Sequence, residues 1–581
     1  MKNIKNDEKL NMVNHSCAHL LAHAVKHLYP EAKFWVGPVI DEGFYYDIDL
    51  GDKSLSEEDL VKIEKEMKKI SKDNKLIKRI EISKEEALDM FKDDEYKLDL
   101  ISRMDENEQV ISAYKQEDFI DLCRGPHVES TKLLKHFKLL KVSGAYWKGD
   151  AKNKMLQRIY GVCFESEEDL NAHLEFLEEA KKRDHKKIGK EQGLIMFSEY
   201  GPGFPFFLPA GMTLRRILEN YWYEEHEKEG YLFINTPIML NRDLWEVSGH
   251  WMNYKENMYT SEIDEKEFAI KPMNCPGGML VYKNSLHSYK ELPLRVGELG
   301  HVHRHEASGA LNGLFRVRTF TQDDAHIFMR EDQIESEIVS LINFIDRMYS
   351  IFGLTYDIEL STRPEEKYIG SIEVWNKSEA ILEKACREAG HTCKINPGDG
   401  AFYGPKLDFH IKDSIGRVWQ CGTIQLDMNL PERFDLTYID ADGSKKRPIM
   451  LHRVIYGSIE RFIGILIEHF AGAFPLWLAP TQVNIIPVKN EYHLEYAQKL
   501  KEVFENAGIR VELDSRDEKL SYRMRDAQLH KIPYNLIIGD KERDNNEVSY
   551  RKFGSEETVT MNLDEFVALL KEEIESKKLN K

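Results

Sequence analysis

The chain of 581 residues has no apolar run approaching the about 20 residues needed to cross a bilayer, so no membrane span is expected. Its N-terminus, MKNIKNDEKLNMVNHS, lacks the apolar core of a secretion signal. Cysteine is scarce, and its count of seven is odd. Reduced thiols rather than a disulfide framework follow, with the cytoplasm as the expected location. Internal repeats, low-complexity tracts and both phosphate-binding glycine fingerprints, GxGxxG and GxxxxGK[ST], are absent. An excess of positive charge is also missing, the net charge being −19. That argues only weakly against a nucleic-acid partner, because phosphate binding depends on local potential. Bases do cluster, at Thr131–Arg158 and Lys181–Lys190, although a solvated charged face is the plain reading of either run.

What is present suits a soluble protein of three or four domains: 42% hydrophobic and 31% charged residues. Residues 1–164 mix an amphipathic helix, Ser16–Leu28, with strand-like segments such as Phe44–Ile48. Residues 165–187 follow as a charged linker helix, acids early and bases late. GPGFPFFLPAG (201–211) then opens a helix from Met212 to Glu229 that stops at Gly230. Up to residue 478, short β-rich runs alternate with helices, which suggests a large mixed sheet. Residues 479–581 read as βαβαβ, a small doubly wound domain.

Residues 295–328 are the most informative. They read as a strand ending in Arg304-His305-Glu306, a Gly/Ser/Asn loop, and a second strand with Arg316, Arg318 and Phe320. Such a hairpin offers arginine forks to phosphates, an acid to an adenine amino group and a ring for stacking. This order resembles motif 2 of class II aminoacyl-tRNA synthetases. GYLFINTPIML (230–240), with Pro237 on a strand, resembles motif 1, the dimer interface of that class. GSIERFIGILIEH (457–469) resembles motif 3, with Arg461 facing the nucleotide. The resemblance implies an α+β multidomain protein: an antiparallel-sheet catalytic core, an α+β editing domain and a C-terminal α/β anticodon-binding domain. It also implies ATP held by Arg304, Glu306, Arg316, Phe320, Gln420 and Arg461, with Mg²⁺ as its companion.

KPMNCPGG (271–278), TQDDAHIF (321–328) and PIMLHRVIYGSIERF (448–462) closely resemble the threonyl members of the class. They supply Cys275, His326 and His452, too widely spaced in sequence to predict a metal site by themselves. The family binds one zinc at these positions, and the open coordination position would take the amino and hydroxyl groups of threonine. Valine, lacking the hydroxyl, would be rejected. Gln322, Asp324, Tyr403, Lys406 and Gln425 match the rest of the threonine pocket, and His250 matches a histidine tied to transfer onto the tRNA ribose. The implied reaction forms threonyl-adenylate and passes threonine to the 3′-terminal ribose of threonine tRNA. Arg304, Arg316 and Arg461 would stabilise the phosphates, without a protein nucleophile. A homodimer is implied as well.

Serine keeps the hydroxyl and lacks only a methyl, worth about 10–200-fold, so a second, hydrolytic site is expected. HSCAH (15–19) and CRGPH (123–127) place His15 with His19, and Cys123 with His127, each pair four residues apart. Spacing alone reads as a four-ligand zinc site. The same segments, with Lys97 and Asp121, resemble the editing domain of bacterial threonyl enzymes, which implies metal-free hydrolysis of seryl-tRNA. His23 and His27 match no family position and read as solvated or packing residues. The small N-terminal domain usual in the family is not present before the HxxxH pair. Glu542 and Arg551 match anticodon contacts, Asp517 stands where asparagine is common, and Arg516, Arg523 and Arg525 are candidate phosphate contacts. A catalytically silent RNA-binding paralogue should have lost an arginine or a zinc ligand; a stand-alone deacylase would have only the first half; a prolyl or seryl enzyme would lack the Cys/His/His set.

Overall fold

The computed structural model describes residues 4–104, 110–150 and 152–579. The chain forms two compact units, Met1–Glu179 and Ala180–Lys581. No helix among the described residues is long and apolar enough to cross a membrane.

The first unit is built around α1 (Glu8–Leu28). It starts eight residues before the expected Ser16 because Asp7 caps it, accepting from the amides of Lys9 and Leu10. Asn14 then ties it to the backbone of Cys163 at 2.9 Å. Helix α1 covers an antiparallel sheet of β1 (Gly43–Asp49), β5 (His136–Tyr146) and β6 (Met155–Phe164), with α2 (Glu57–Lys72) alongside. A second, three-stranded sheet joins β2 (Ile77–Ser83), β3 (Val110–Gln116) and β4 (Phe119–Leu122), and α3 (Glu95–Ser102) brings in Lys97. Half of the bases at 131–158 are in ion pairs: Lys138 with Glu64, Lys148 with Asp99, Lys154 with Asp49 and Arg158 with Asp47. The single linker helix expected over 165–187 is two, α4 (Glu167–Lys182) and α5 (His185–Glu191), because Asp184 caps a new start by accepting from the Lys186 amide.

In the second unit α6 (Pro209–Lys228) begins with proline at its first turn, where the missing N–H costs nothing. An eight-stranded sheet follows in the order β7 (Leu232–Phe233), β8 (Leu294–His303), β9 (Thr319–Met329), β14 (Ile449–Val454), β13 (Val418–Asp427), β12 (Lys406–Lys412), β10 (Thr355–Ser361) and β11 (Cys393–Asn396). Only its outermost pairs, β7 with β8 and β10 with β11, are parallel. Helices α8 (Ile334–Ser350), α9 (Ile372–Glu388) and α10 (Ile459–His469) pack on it in one large core. The C-terminal sheet runs β16 (Val511–Leu513), β15 (Val483–Pro487), β17 (Tyr534–Ile538), β18 (Glu547–Lys552), β19 (Val559–Asn562). Its first three strands are parallel, as the βαβαβ reading requires, and the last two are antiparallel.

Three expected strand positions are corrected. Strand β8 ends at His303, so Arg304 and Glu306 lie just beyond it. Arg316 and Arg318 lie in the loop before β9, where the Arg318 guanidinium braces the turn by donating to Glu306 O and Pro202 O. Pro237 lies in extended, exposed backbone between strands rather than on one, since it has no amide to give a ladder.

Candidate functional site

Side chains alternate along a strand, so Phe320, Gln322, Asp324 and His326 share one face of β9. Antiparallel register then builds a row across four strands: His326 stands opposite His452, His452 opposite Gln425, and Gln425 opposite Lys406. Cys275 comes from the first turn of α7 (Cys275–Lys283). Ligand atoms of Cys275, His326 and His452 lie within 4.8 Å of one another. Asp427 Oδ2 lies 2.8 Å from His452 Nε2. The buried Nε2 of His326 has no hydrogen-bond partner, and burial pulls this imidazole down to about 4, so near neutral pH the ring is uncharged. Burial also pushes the Cys275 thiol well up. An orphaned imidazole nitrogen, a second imidazole oriented by a carboxylate and a buried thiol suit zinc.

The row floors a cavity of about 360 Å³ whose walls include Asp324, Tyr403 and Lys406. Asn274, missed in the sequence although it adjoins Cys275, donates to Asp324 at 3.1 Å. Tyr403 O–H donates to Gln425 Oε1, and Lys406 donates to Asp408 at 2.5 Å. A second cavity of about 440 Å³ shares Arg304, Gln322 and Gln425 with the first and adds Glu306, Arg316, Phe320, Gln420 and Arg461. Gln420 reaches that face because Cys421 is a bulge: Phe409 pairs with Gly422 and His410 with Gln420, which resets the alternation. The Arg304 guanidinium lies 5.1 Å from the Phe320 ring centroid, and Arg316 donates to Glu306 at 2.9 Å. Arg461 Nε is buried without a partner. Guanidinium groups over one half and polar side chains over the other fit an amino acid end to end with a polyphosphate.

The opposite face of β9 fixes the surroundings. Asp323 accepts from the amides of Ile455, Tyr456 and Gly457, setting the turn into α10, and burial raises its carboxyl to about 6. Arg215 on α6 bridges Glu460 of α10 at 2.8 Å and Thr321 of β9 at 2.7 Å. His250 is fully buried, 2.8 Å from Ser248 Oγ and 3.0 Å from Met273 Sδ, and burial lowers it to about 4. It stands behind the cavity wall rather than on it.

In the first unit α1 presents His15 and His19 to the loop after β4. That loop is not helical; a cis Gly125–Pro126 bond lies within it. Cys123 Sγ lies 3.2 Å from His15 Nε2 and 3.1 Å from His127 Nε2, while His127 Nδ1 is 3.1 Å from Ser16 Oγ. Lys97 and Asp121 form a buried pair at 2.5 Å, with Tyr46 O–H donating to Asp121. Burial lowers His15, takes His127 down to about 2 and holds Cys123 up at about 11. The group therefore offers neutral imidazoles and a protonated thiol around one buried ion pair, suited to holding and deprotonating water rather than to nucleophilic attack by sulfur. Tyr46 and Ser16 left no signal in the sequence.

In the C-terminal domain Glu542, on α11 (Asp540–Asn545), accepts from the Gly539 amide at 2.8 Å and from Ser549 Oγ at 2.5 Å. Arg551, on β18, donates to Thr558 at 2.8 Å. Arg523 is withdrawn as a phosphate contact: it is buried and donates to three backbone carbonyls. Arg516 is held by Asp514 and Asp526, whereas Arg525 and Asp517 are exposed.

Comparison with known proteins fits this geometry. Residues 259–470 match the tRNA synthetase class II core domain (G, H, P, S and T), 482–573 the anticodon binding domain, and 111–160 the threonyl and alanyl tRNA synthetase second additional domain. The sheet and its two joined cavities are thus the core of a class II aminoacyl-tRNA synthetase. Threonine–tRNA ligase of Fusobacterium nucleatum is 59% identical over 575 residues, 98% of this chain and 92% of that protein. That of Clostridioides difficile is 58% identical over 572 residues, 98% and 89%. The RNA binding domain of threonyl-tRNA synthetase from Cryptosporidium parvum superposes with a TM-score of 0.65 at 38% identity, covering 68% of this chain and 99% of that one. The chain belongs to the threonine–tRNA ligase family.

Proposed function

We propose that the chain activates threonine with ATP, transfers it to the 3′-terminal ribose of threonine tRNA, and hydrolyses seryl-tRNA in its first unit. The row His326, His452, Gln425 and Lys406, meeting the arginine-lined cavity at Arg304, carries the reading. Cys275, His326 and His452 would hold zinc, which when bound supplies an open position for the amino and hydroxyl groups of threonine. Mg²⁺ would accompany ATP. Gln322, Asp324, Tyr403, Lys406 and Gln425 orient the amino acid so that its carboxylate faces Arg304. Arg304 then neutralises the α-phosphate, and Arg316 and Arg461 the distal charge. Phe320 stacks on adenine and Glu306 accepts from its amino group, a role it takes by releasing Arg316 to phosphate. Buried His250 would position Met273 and the pocket wall during transfer rather than touch the ribose from its present place.

In the first unit Cys123 lies within hydrogen-bond reach of His15 and His127, and His127 of Ser16, unlike the orphaned His326, and this supports editing without a metal. Lys97 and Asp121 would hold the polar groups that receive the ester and its water. The domain limits proposed are 1–164 for editing, 165–187 for the linker, 188–478 for catalysis and 479–581 for the anticodon, with Glu542 and Arg551 as anticodon contacts. Exposed Leu232, Ile238 and Met239 beside Pro237 suit a homodimer interface. The full chain should charge threonine tRNA and deacylate seryl-tRNA. Lys97→Met should keep threonine activation and lose deacylation about 100-fold or more, measured as accumulated seryl-tRNA; undiminished deacylation would overturn the editing assignment.

A further inference from the structure

His23 and His27 sit one turn beyond the editing histidines on α1, and the two-residue turn Glu117–Asp118 between β3 and β4 folds against them. Two imidazole nitrogens and both carboxylate oxygens of Asp118 meet there. His23 Nε2 lies 3.0 Å from His27 Nε2 and 2.9 Å from Asp118 Oδ1, and His27 Nε2 lies 3.3 Å from Asp118 Oδ2. The far nitrogens are already engaged: His27 Nδ1 lies 3.0 Å from Glu66 Oε1, and His23 Nδ1 2.8 Å from the side-chain amide of Gln116. Gln116 is almost fully buried, and its carbonyl oxygen has no partner as placed. Turned over, that oxygen accepts from His23 Nδ1–H, as Glu66 accepts from His27 Nδ1–H, and both Nε2 atoms become lone pairs. Phe119 stacks on the His23 ring at 5.4 Å and fixes its plane.

With both rings donating through Nδ1, no proton lies between either Nε2 and the nearest Asp118 oxygen, and acceptor faces acceptor across these contacts. A cation held by the two Nε2 atoms and the Asp118 carboxylate satisfies them together. Ligands at about 2.0–2.1 Å from one tetrahedral ion stand about 3.3 Å apart, close to the edges observed. Imidazoles oriented through Nδ1 by a carboxylate and an amide are the usual surroundings of metal-bound histidine.

We propose that His23, His27 and Asp118 form a binding site for a divalent first-row transition cation, separate from Cys275, His326 and His452 and from the editing cluster. Two imidazoles and a carboxylate leave a position open to solvent on the Asp118 side, where that side chain is 65% exposed. The ion would pin the turn to α1 and so stiffen β4, the strand that carries Asp121.

The test is Zn²⁺ uptake by chelator-stripped full-length protein, followed by calorimetric titration and by metal content after dialysis. Asp118→Asn changes an exposed turn and His27→Gln a half-exposed ring, and each should take up one equivalent per chain less than wild type. Cys275→Ala should lose a different equivalent, and Cys123→Ala none. Near-ultraviolet circular dichroism identical to wild type shows that a variant is folded. Equal uptake by wild type and both variants would overturn the site in favour of a shared proton. Loss of the equivalent on Cys123→Ala but not on Asp118→Asn would overturn it in favour of the editing cluster.

Discussion

His452 keeps its ring in place through Asp427, whose carboxylate is fully buried and has no contact with the cavity of its own. Asp427→Asn should leave the fold intact and weaken zinc retention about 10–100-fold, read by chelator competition. Arg304→Ala removes the one guanidinium shared by both cavities and should slow threonine-dependent pyrophosphate exchange about 10²–10³-fold. The candidate ligands could be named from their flanking motifs alone, because their separations in sequence carry no metal pattern. Their meeting depends on strand register, which brings His326 opposite His452 and which no local rule specifies. Asp427 and Asp323 were invisible for the same reason: each acts on a strand or turn distant in sequence.

At the scale of elements, three separate pieces hold one another. Arg215 of α6 reaches Glu460 of α10 and Thr321 of β9, and Glu460 in turn accepts from the Thr321 amide at 2.8 Å. Arg215→Ala leaves Glu460 buried without a counter-charge, and should cost about 3–5 kcal/mol in denaturant unfolding while also lowering exchange. Undiminished stability would show that the bridge is dispensable. Strands, helices and the βαβαβ order were legible from period and turn residues, with ends displaced by caps such as Asp7 and Asp184. The bulge at Cys421 was not, and without it Gln420 would point away from the arginine-lined cavity.

For the molecule as a whole, burial sets the response to acid. His250 and His326 titrate at about 4 when folded against 6.5 unperturbed, and His127 at about 2. The unfolded chain therefore binds more protons between pH 6.5 and 4, and stability falls as pH drops through that window, by about 1.4 kcal/mol per unit for each histidine. Asp323, held at about 6, acts in the opposite sense between 6 and 3.8 and offsets about one of them. Chelator-treated protein should accordingly unfold at lower denaturant at pH 5 than at pH 7; equal midpoints would contradict the buried neutral histidines.

The proposed reading of the hydroxyl by this row, and of the nucleotide by the arginine-lined cavity it joins, is tested most directly by ATP–pyrophosphate exchange with threonine, serine and valine side by side, on wild type and Cys275→Ala. Exchange with threonine is expected, with serine weaker by about 10–200-fold, none with valine, and loss of all exchange in the variant. Valine exchanging as well as serine, or threonine exchange surviving Cys275→Ala, would contradict it.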